Sequence, residues 1–222
     1  MKTLILWDID GTLLSTGGAG RAALDEAFEA LHGVPEAFAA VDFGGRTDFG
    51  IVRQAFRLHG LPHPADGGEA LLRAYLPRLR ERLRTGRSRI CVHPGVHAAL
   101  DAAQERAVNG LLTGNWAEGA RHKLEAVGLW ERFAFGAFGD DAEDRNRLVP
   151  VALRRARERG LHPERVVVVG DTPHDVACAR AGGALAVAVA TGWSSREELV
   201  AAEPDLLLDD LEAGREALLA LL

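Results

Sequence analysis

The sequence predicts an α/β fold: a doubly wound, mostly parallel sheet with an all-helical segment inserted after its first strand. Three observations carry this. Short apolar runs recur at residues 4–7, 166–169 and 184–189, each the length of a buried parallel strand. Helix-patterned segments alternate with the strand candidates after residue 88, the order that covers both faces of a sheet. Between residues 17 and 88 only helical spacing occurs, with no strong strand candidate. A hydrophobic content of 47% over 222 residues is enough to fill the core of one large domain plus an insert.

The first strand ends abruptly in Asp8-Ile9-Asp10-Gly11-Thr12. In open α/β sheets the chemistry sits just past the carboxyl ends of the strands. Asp8 falls there, and Asp10 is close enough to share the site. Gly11 lets the backbone turn sharply, and Thr12 offers a hydroxyl to pin the loop. The glycine-rich residues 17–20 read as a loop or hinge. A helix follows with Ala23, Leu24, Ala27, Phe28 and Leu31 in register, ended by Gly33 and Pro35. Thr47 or Asp48 is placed to cap the next helix, which carries Ile51, Val52, Ala55, Phe56 and Leu58. Pro62 and Pro64 interrupt the chain. A third helix runs from about residue 68 to 84, with Leu71, Leu72, Tyr75, Leu76, Leu79 and Leu83 on one side. Pro77 within it is expected to kink or divide it.

After the insert, His93-Pro94-Gly95 leads into a helix near residues 96–105. Residues 107–113 form a weak strand that ends in Thr113-Gly114-Asn115. A helix with Ala117, Ala120, Leu124 and Val127 stops at Gly128. Residues 133–138 are expected as a strand, and residues 148–159 as a helix closed by Gly160. The clearest buried strand, 166–169, runs into Gly170-Asp171-Thr172-Pro173-His174-Asp175. Pro173 suits the first turn of a helix. Asp175 then lies one turn in, facing the strand tip. Residues 184–189 and 205–208 supply further strands before a C-terminal helix.

The chemistry of these strand ends is specific. The Thr113 hydroxyl and the free amides of Gly114 and Asn115 suit phosphate oxygens. Asp8, Asp10, Asp171 and Asp175 bring together carboxylates that call for a cation, and hard oxygen ligands suit magnesium. The net charge of −6 argues against a nucleic-acid partner. Neither a membrane-length apolar run nor a basic-then-apolar leader is present. Cys91 and Cys178 form no C-x-x-C pair, which argues against zinc or a disulfide framework and for a cytoplasmic setting.

Taken in order, these motifs resemble those of the haloacid dehalogenase superfamily of hydrolases, most of all its phosphoglycolate-phosphatase-like branch. The resemblance implies a Rossmann-like catalytic core over residues 1–16 plus 89–222 and a helical cap domain over residues 17–88. It implies Mg²⁺-dependent hydrolysis of a small phosphorylated metabolite through an aspartyl-phosphate. Asp8 would be the nucleophile and a metal ligand. Asp10 would protonate the leaving oxygen, activate water, and reach the metal through its backbone carbonyl. Asp171 would complete the ligands, with Asp175 in support. Thr113, Gly114 and Asn115 would hold the phosphoryl oxygens.

The family usually places a lysine before the next strand, and this chain has none there. Arg145, at the entrance to helix 148–159, is favoured over Arg147 as its replacement. Lys123, on the helix after Thr113, reads as helix surface or packing. In the insert, Phe43-Gly44-Gly45-Arg46-Thr47-Asp48 resembles the loops with which the family's caps touch substrate. Arg46 would there suit a second anionic group. A phosphomutase of the β-phosphoglucomutase type would keep the same motifs, but those enzymes carry a histidine where Gly17-Gly18-Ala19-Gly20-Arg21 stands here. A 2-haloacid dehalogenase would lack Asp10. A pure binding module would not need every catalytic carboxylate. Either a monomer or a homodimer is compatible with the sequence.

Overall fold

The computed structural model describes residues 3–63, 68–86 and 88–222. Strand β1 (Thr3–Trp7) leads through a tight loop to β2 (Leu14–Ser15). Three helices follow: α1 (Ala19–His32), α2 (Asp48–Leu58) and α3 (Glu69–Thr85). β3 (Cys91–Val92) pairs antiparallel with β2, so the chain leaves and re-enters the sheet region side by side. Then come α4 (Val96–Gln104), β4 (Val108–Leu112), α5 (Ala117–Glu125) and β5 (Gly136–Ala137). The last part comprises α6 (Leu148–Glu158), β6 (Arg165–Gly170), α7 (Pro173–Ala181), β7 (Leu185–Val189), α8 (Arg196–Ala201), β8 (Leu206–Leu208) and α9 (Arg215–Leu219).

Six of the strands form one parallel sheet in the order β5-β4-β1-β6-β7-β8. From β1 the chain winds outward through β4 to β5, then crosses back to β6 and winds the other way. That reversal makes a crevice at the carboxyl ends of β1, β4 and β6. Trp7 stands opposite Leu111 on one side and Val169 on the other, so the loops after all three strands open at one edge. The two-residue period of β1 assigns its side chains to two layers. Ile5 and Trp7 pack with α4, α5 and α9, while Leu4 and Leu6 pack with α6, α7 and α8.

The three helices between β2 and β3 have a core of their own, centred on Leu24, Phe28, Phe38, Phe56, Tyr75 and Leu79. Trp116, from the loop after β4, inserts into this cluster against Phe49 and Tyr75. Thr47 is the cap of α2, its side chain accepting from Gly50 N. Among the described residues no strand lies between 17 and 88, as the helical spacing indicates.

Four local features differ from expectation. α3 runs unbroken through Pro77, because Leu71, Tyr75, Leu79 and Leu83 are buried along one continuous face that a break would take out of register. That burial offsets the roughly 3 kcal/mol cost of an interior proline. The strand expected at 133–138 contracts to the edge pair of β5, preceded by a 3₁₀ turn at Trp130–Arg132. Leu31 and Leu58, in register on their helices, face solvent. α8 is a helix beyond those the spacing predicts, although Ser195 and Glu198 form a capping box that the sequence displays. Among the described residues no helix is long and apolar enough to cross a membrane.

Candidate active site

Asp8 leaves β1 with its amide still in the sheet, donating to Val169 O at 2.9 Å. The following turn is fixed from two sides. Thr191 Oγ1 donates to Gly11 O at 2.7 Å, and Thr12 Oγ1 donates to Asp171 Oδ1 at 3.2 Å. Gly11 has φ +88°, and a Cβ there would overlap the Asp171 carboxylate. The residue must therefore be glycine for both conformational and steric reasons. Asp171, at the end of β6, also accepts from Trp193 N at 2.7 Å.

Asp8, Asp171 and Asp175 converge. One carboxylate oxygen from each lies within 4.8 Å of the others, and all three side chains are buried. Arg145 is buried against them. Its Nη2 lies 3.1 Å from Asp8 Oδ1 and ion-pairs with Asp175 Oδ1. The second oxygen of Asp175 accepts from Thr172 N at 3.0 Å and Thr172 Oγ1 at 2.7 Å, closing the capping box of α7. Arg147 is exposed. Of the two arginines, the fold brings Arg145 to the carboxylates.

Three buried carboxylates face one guanidinium, and the electrostatics follow. Burial pushes Asp8 up to about 6, against the opposing pull of Arg145. Burial, with Asp175 and Asp8 nearby, raises Asp171 well above the ordinary carboxylate range. Burial works against the charge on Arg145, but Asp175 and Asp8 outweigh it and raise its pKa. Such a cluster of hard oxygen donors with excess negative charge fits a divalent cation.

The Asp10 carboxylate is not part of this cluster. Its Oδ2 accepts from Lys123 Nζ at 2.5 Å and from Asn115 Nδ2 at 2.8 Å. Lys123 Nζ also donates to Asn115 Oδ1 at 2.6 Å. Lys123 is only 4% exposed and reaches Asp10, so the expectation of a residue serving helix surface or packing is corrected. It falls on the buried stripe of α5 beside Ala120 and Leu124, and that spacing was the available signal. Asn115 additionally leans on Thr113 Oγ1, through Nδ2 at 2.8 Å and its backbone N at 3.4 Å.

The loop before α2 closes over these strand ends. Asp48 N donates to Gly114 O at 2.8 Å, Thr47 Oγ1 to Glu143 O at 2.8 Å, and Arg145 Nη1 to Gly45 O at 3.2 Å. A Cβ at Gly114 would overlap the carbonyl of Arg46, so the approach is of backbone on backbone. The Arg46 side chain is half-exposed and pairs with Asp42 at 3.3 Å. Between loop and sheet lies a cavity of about 310 Å³. Asp8, Asp10, Thr113, Asn115, Lys123 and Arg145 line it from the sheet side, Arg46, Asp48 and Tyr75 from the helical side. The sequence reading did not place Lys123, Asp48 or Tyr75 in the site. Burial pushes Asp48 up to about 6, with Lys123 opposing, and its Oδ2 accepts from Trp116 N at 2.7 Å.

Comparisons with known proteins agree with this geometry. A family model described as HAD-hydrolase-like matches residues 146–214. A phosphoglycolate phosphatase of Pseudomonas putida is 28% identical over 221 residues, covering 96% of this chain and 78% of the relative. A phosphoglycolate phosphatase of Agrobacterium fabrum is 26% identical over 223 residues, covering 98% and 93%. Among solved structures, CbbY from Rhodobacter sphaeroides in complex with phosphate is similar with a TM-score of 0.73, 24% identity and 96% coverage of both chains. A hydrolase from Pseudomonas syringae gives a TM-score of 0.75 at 21% identity, with 98% coverage of both.

Proposed function

The chain belongs to the haloacid dehalogenase superfamily and is a phosphatase of the phosphoglycolate-phosphatase-like branch, and from that premise we propose that it hydrolyses a small phosphorylated metabolite through an aspartyl-phosphate, with Mg²⁺ as cofactor. The observation that supports this most is the division of labour among the carboxylates. Asp8 sits at the tip of the central strand within the Asp171–Asp175 cluster, while Asp10 is held apart by Lys123 and Asn115.

An Asp8 oxygen attacks phosphorus, and the bond from phosphorus to the leaving oxygen breaks. Asp10 gives its proton to that oxygen. Asp10 then takes a proton from water, which attacks phosphorus and releases Asp8 and inorganic phosphate. Asp8, Asp171 and the backbone carbonyl of Asp10, with Asp175 in support, would hold Mg²⁺, which would supply the positive charge that lets an anionic nucleophile approach a phosphate dianion. Arg145 fixes Asp8 and Asp175 and stands where the usual lysine would. Thr113 and the amides of Gly114 and Asn115 receive the phosphoryl oxygens. Arg46, at the half-exposed rim, adds positive potential along the substrate's approach. Residues 17–88 act as a cap over a core of 1–16 and 89–222, keeping water from the charged site. The free cysteines Cys91 and Cys178 suit a reducing cytoplasm.

Phosphate release from p-nitrophenyl phosphate and from alkyl phosphates, with and without Mg²⁺, tests the reading. Mg²⁺-dependent turnover that vanishes in Asp8→Asn is expected. Turnover retained in that variant would overturn the mechanism.

A further inference from the structure

Resting on that phosphatase reading, we propose that the inner end of the pocket selects for hydroxyls on the leaving group, so that the enzyme prefers phosphate monoesters of neutral polyols, sugars included, over phosphorylated carboxylates.

Two polar groups carry this. Tyr75, from α3, is 2% exposed and lines the cavity, and its hydroxyl has no hydrogen-bond partner among the described residues. Asp48, at the start of α2, is 8% exposed and also lines the cavity. Its Oδ2 is taken by Trp116 N, and its Oδ1 has no hydrogen-bond partner among the described residues. Neither atom is among the fully enclosed polar atoms that lack a partner, so both open to the cavity their residues line. A ligand hydroxyl placed there can pair with both.

The surroundings decide which ligand. The Tyr75 hydroxyl and Lys123 Nζ each lie 3.8 Å from the point where a Cβ of Gly20 would stand, so the bare glycine keeps the space beside both open. Asp48 and Asp10 bring two carboxylates to this end, and Lys123 brings one ammonium. A substrate carboxylate would meet Asp48, and a substrate ammonium would meet Lys123. A hydroxyl can donate to Asp48 while accepting from Tyr75. Two arginines, Arg21 and Arg46, also line the cavity, but both are half-exposed and each faces an acid of its own, Asp25 at 3.8 Å and Asp42 at 3.3 Å. A cavity of about 310 Å³ has room for a carbon chain beyond the phosphoryl group.

The test compares kcat/KM for sorbitol 6-phosphate, 2-phosphoglycolate, phosphoethanolamine and p-nitrophenyl phosphate. The polyol ester is expected to exceed phosphoglycolate and phosphoethanolamine by about tenfold or more. Asp48→Asn and Tyr75→Phe should each cut the polyol ester by about 10- to 100-fold, a larger loss than for the nitrophenyl ester. Tyr75→Phe removes one oxygen from a packed ring and decides the matter if Asp48→Asn does not fold. Preference for phosphoglycolate or phosphoethanolamine, or equal losses on polyol and nitrophenyl esters, would overturn the selection while leaving the phosphatase in place. Failure to hydrolyse even the nitrophenyl ester would overturn the phosphatase reading and the inference with it.

Discussion

Lys123 Nζ donates to Asp10 Oδ2 at 2.5 Å, joining a helix after β4 to the loop after β1. With Asn115 on the same oxygen, it turns the Asp10 carboxylate away from Asp8, Asp171 and Asp175. A group that must protonate a leaving oxygen gains from being fixed outside the cation cluster, since misplacement of about 1 Å is costly. Lys123→Met should therefore lower kcat for alkyl phosphates by about 10- to 100-fold and cost less on p-nitrophenyl phosphate, whose leaving group needs less protonation. Steady-state kinetics on both esters checks this. Equal losses would make Lys123 a structural ion-pair partner only.

The residue proposed as nucleophile joins activity to stability. Asp8 is buried and titrates near 6 instead of near 3.8. In metal-free protein its ionised form is harder to hold folded than unfolded, so stability falls as pH rises from about 4 to 6 and stays reduced above that. Asp8→Asn should abolish turnover, by about 10⁴-fold or more, because no other group forms the intermediate. The same variant should stabilise metal-free protein at pH 7.5 by about 3 kcal/mol, a gain that disappears near pH 4. Thermal melts at the two pH values read this directly. A variant that melts lower than wild type at pH 7.5 would show that Arg145 depends on the Asp8 charge more than burial penalises it.

What the sequence reveals of this site follows strand ends. Asp8, Asp171 and Thr113 are legible because apolar runs announce the strands and chemistry follows their tips. Arg145 is legible because the helix start that presents it is marked. Lys123, Asp48 and Tyr75 reach the cavity only through packing of α2 and α3 over the sheet edge, which depends on Trp116 inserting among Phe49, Tyr75 and their neighbours. No local pattern encodes that meeting. β5 is shorter than its apolar run suggests for a related reason: an edge strand pairs on one side only, so its length depends on its partner β4.

Cation binding should be visible without turnover. Asp8 and Asp171 both bind protons more tightly than ordinary carboxylates, so protons compete with a cation as pH falls toward 6. At pH 7.5, Mg²⁺ at 100 times its dissociation constant should stabilise the fold by about 2.7 kcal/mol. The shift in melting temperature should shrink by pH 5 and be lost in Asp171→Ala. Excess chelator should abolish phosphatase activity, and Ca²⁺ should fail to restore it because its looser coordination misplaces the nucleophile. An undiminished Mg²⁺ shift in Asp171→Ala, or full activity in chelator, would contradict the assignment.

Closure of the helical segment rests on the backbone of Arg46 more than on its side chain. A methyl at Gly114 would overlap the Arg46 carbonyl and crowd Thr47 Cα at 3.0 Å. Gly114→Ala must push residues 45–48 off the strand end, stretching the Arg145 Nη1 to Gly45 O and Asp48 N to Gly114 O hydrogen bonds. Overpacking of this kind costs about 1–3 kcal/mol. The expected result is a fold that persists with kcat/KM down by about 10- to 100-fold, because the cavity opens to water and Asp48 withdraws. Arg46→Ala leaves the carbonyl in place and removes only a half-exposed pair with Asp42, so stability should change by less than about 1 kcal/mol. Its KM should rise about two- to fivefold for every phosphate ester, and the rise should fade at high salt, as screened attraction requires. Measuring both variants on one substrate series separates backbone docking from side-chain attraction. If Gly114→Ala is as mild as Arg46→Ala, contact between this loop and the strand end is not needed for turnover.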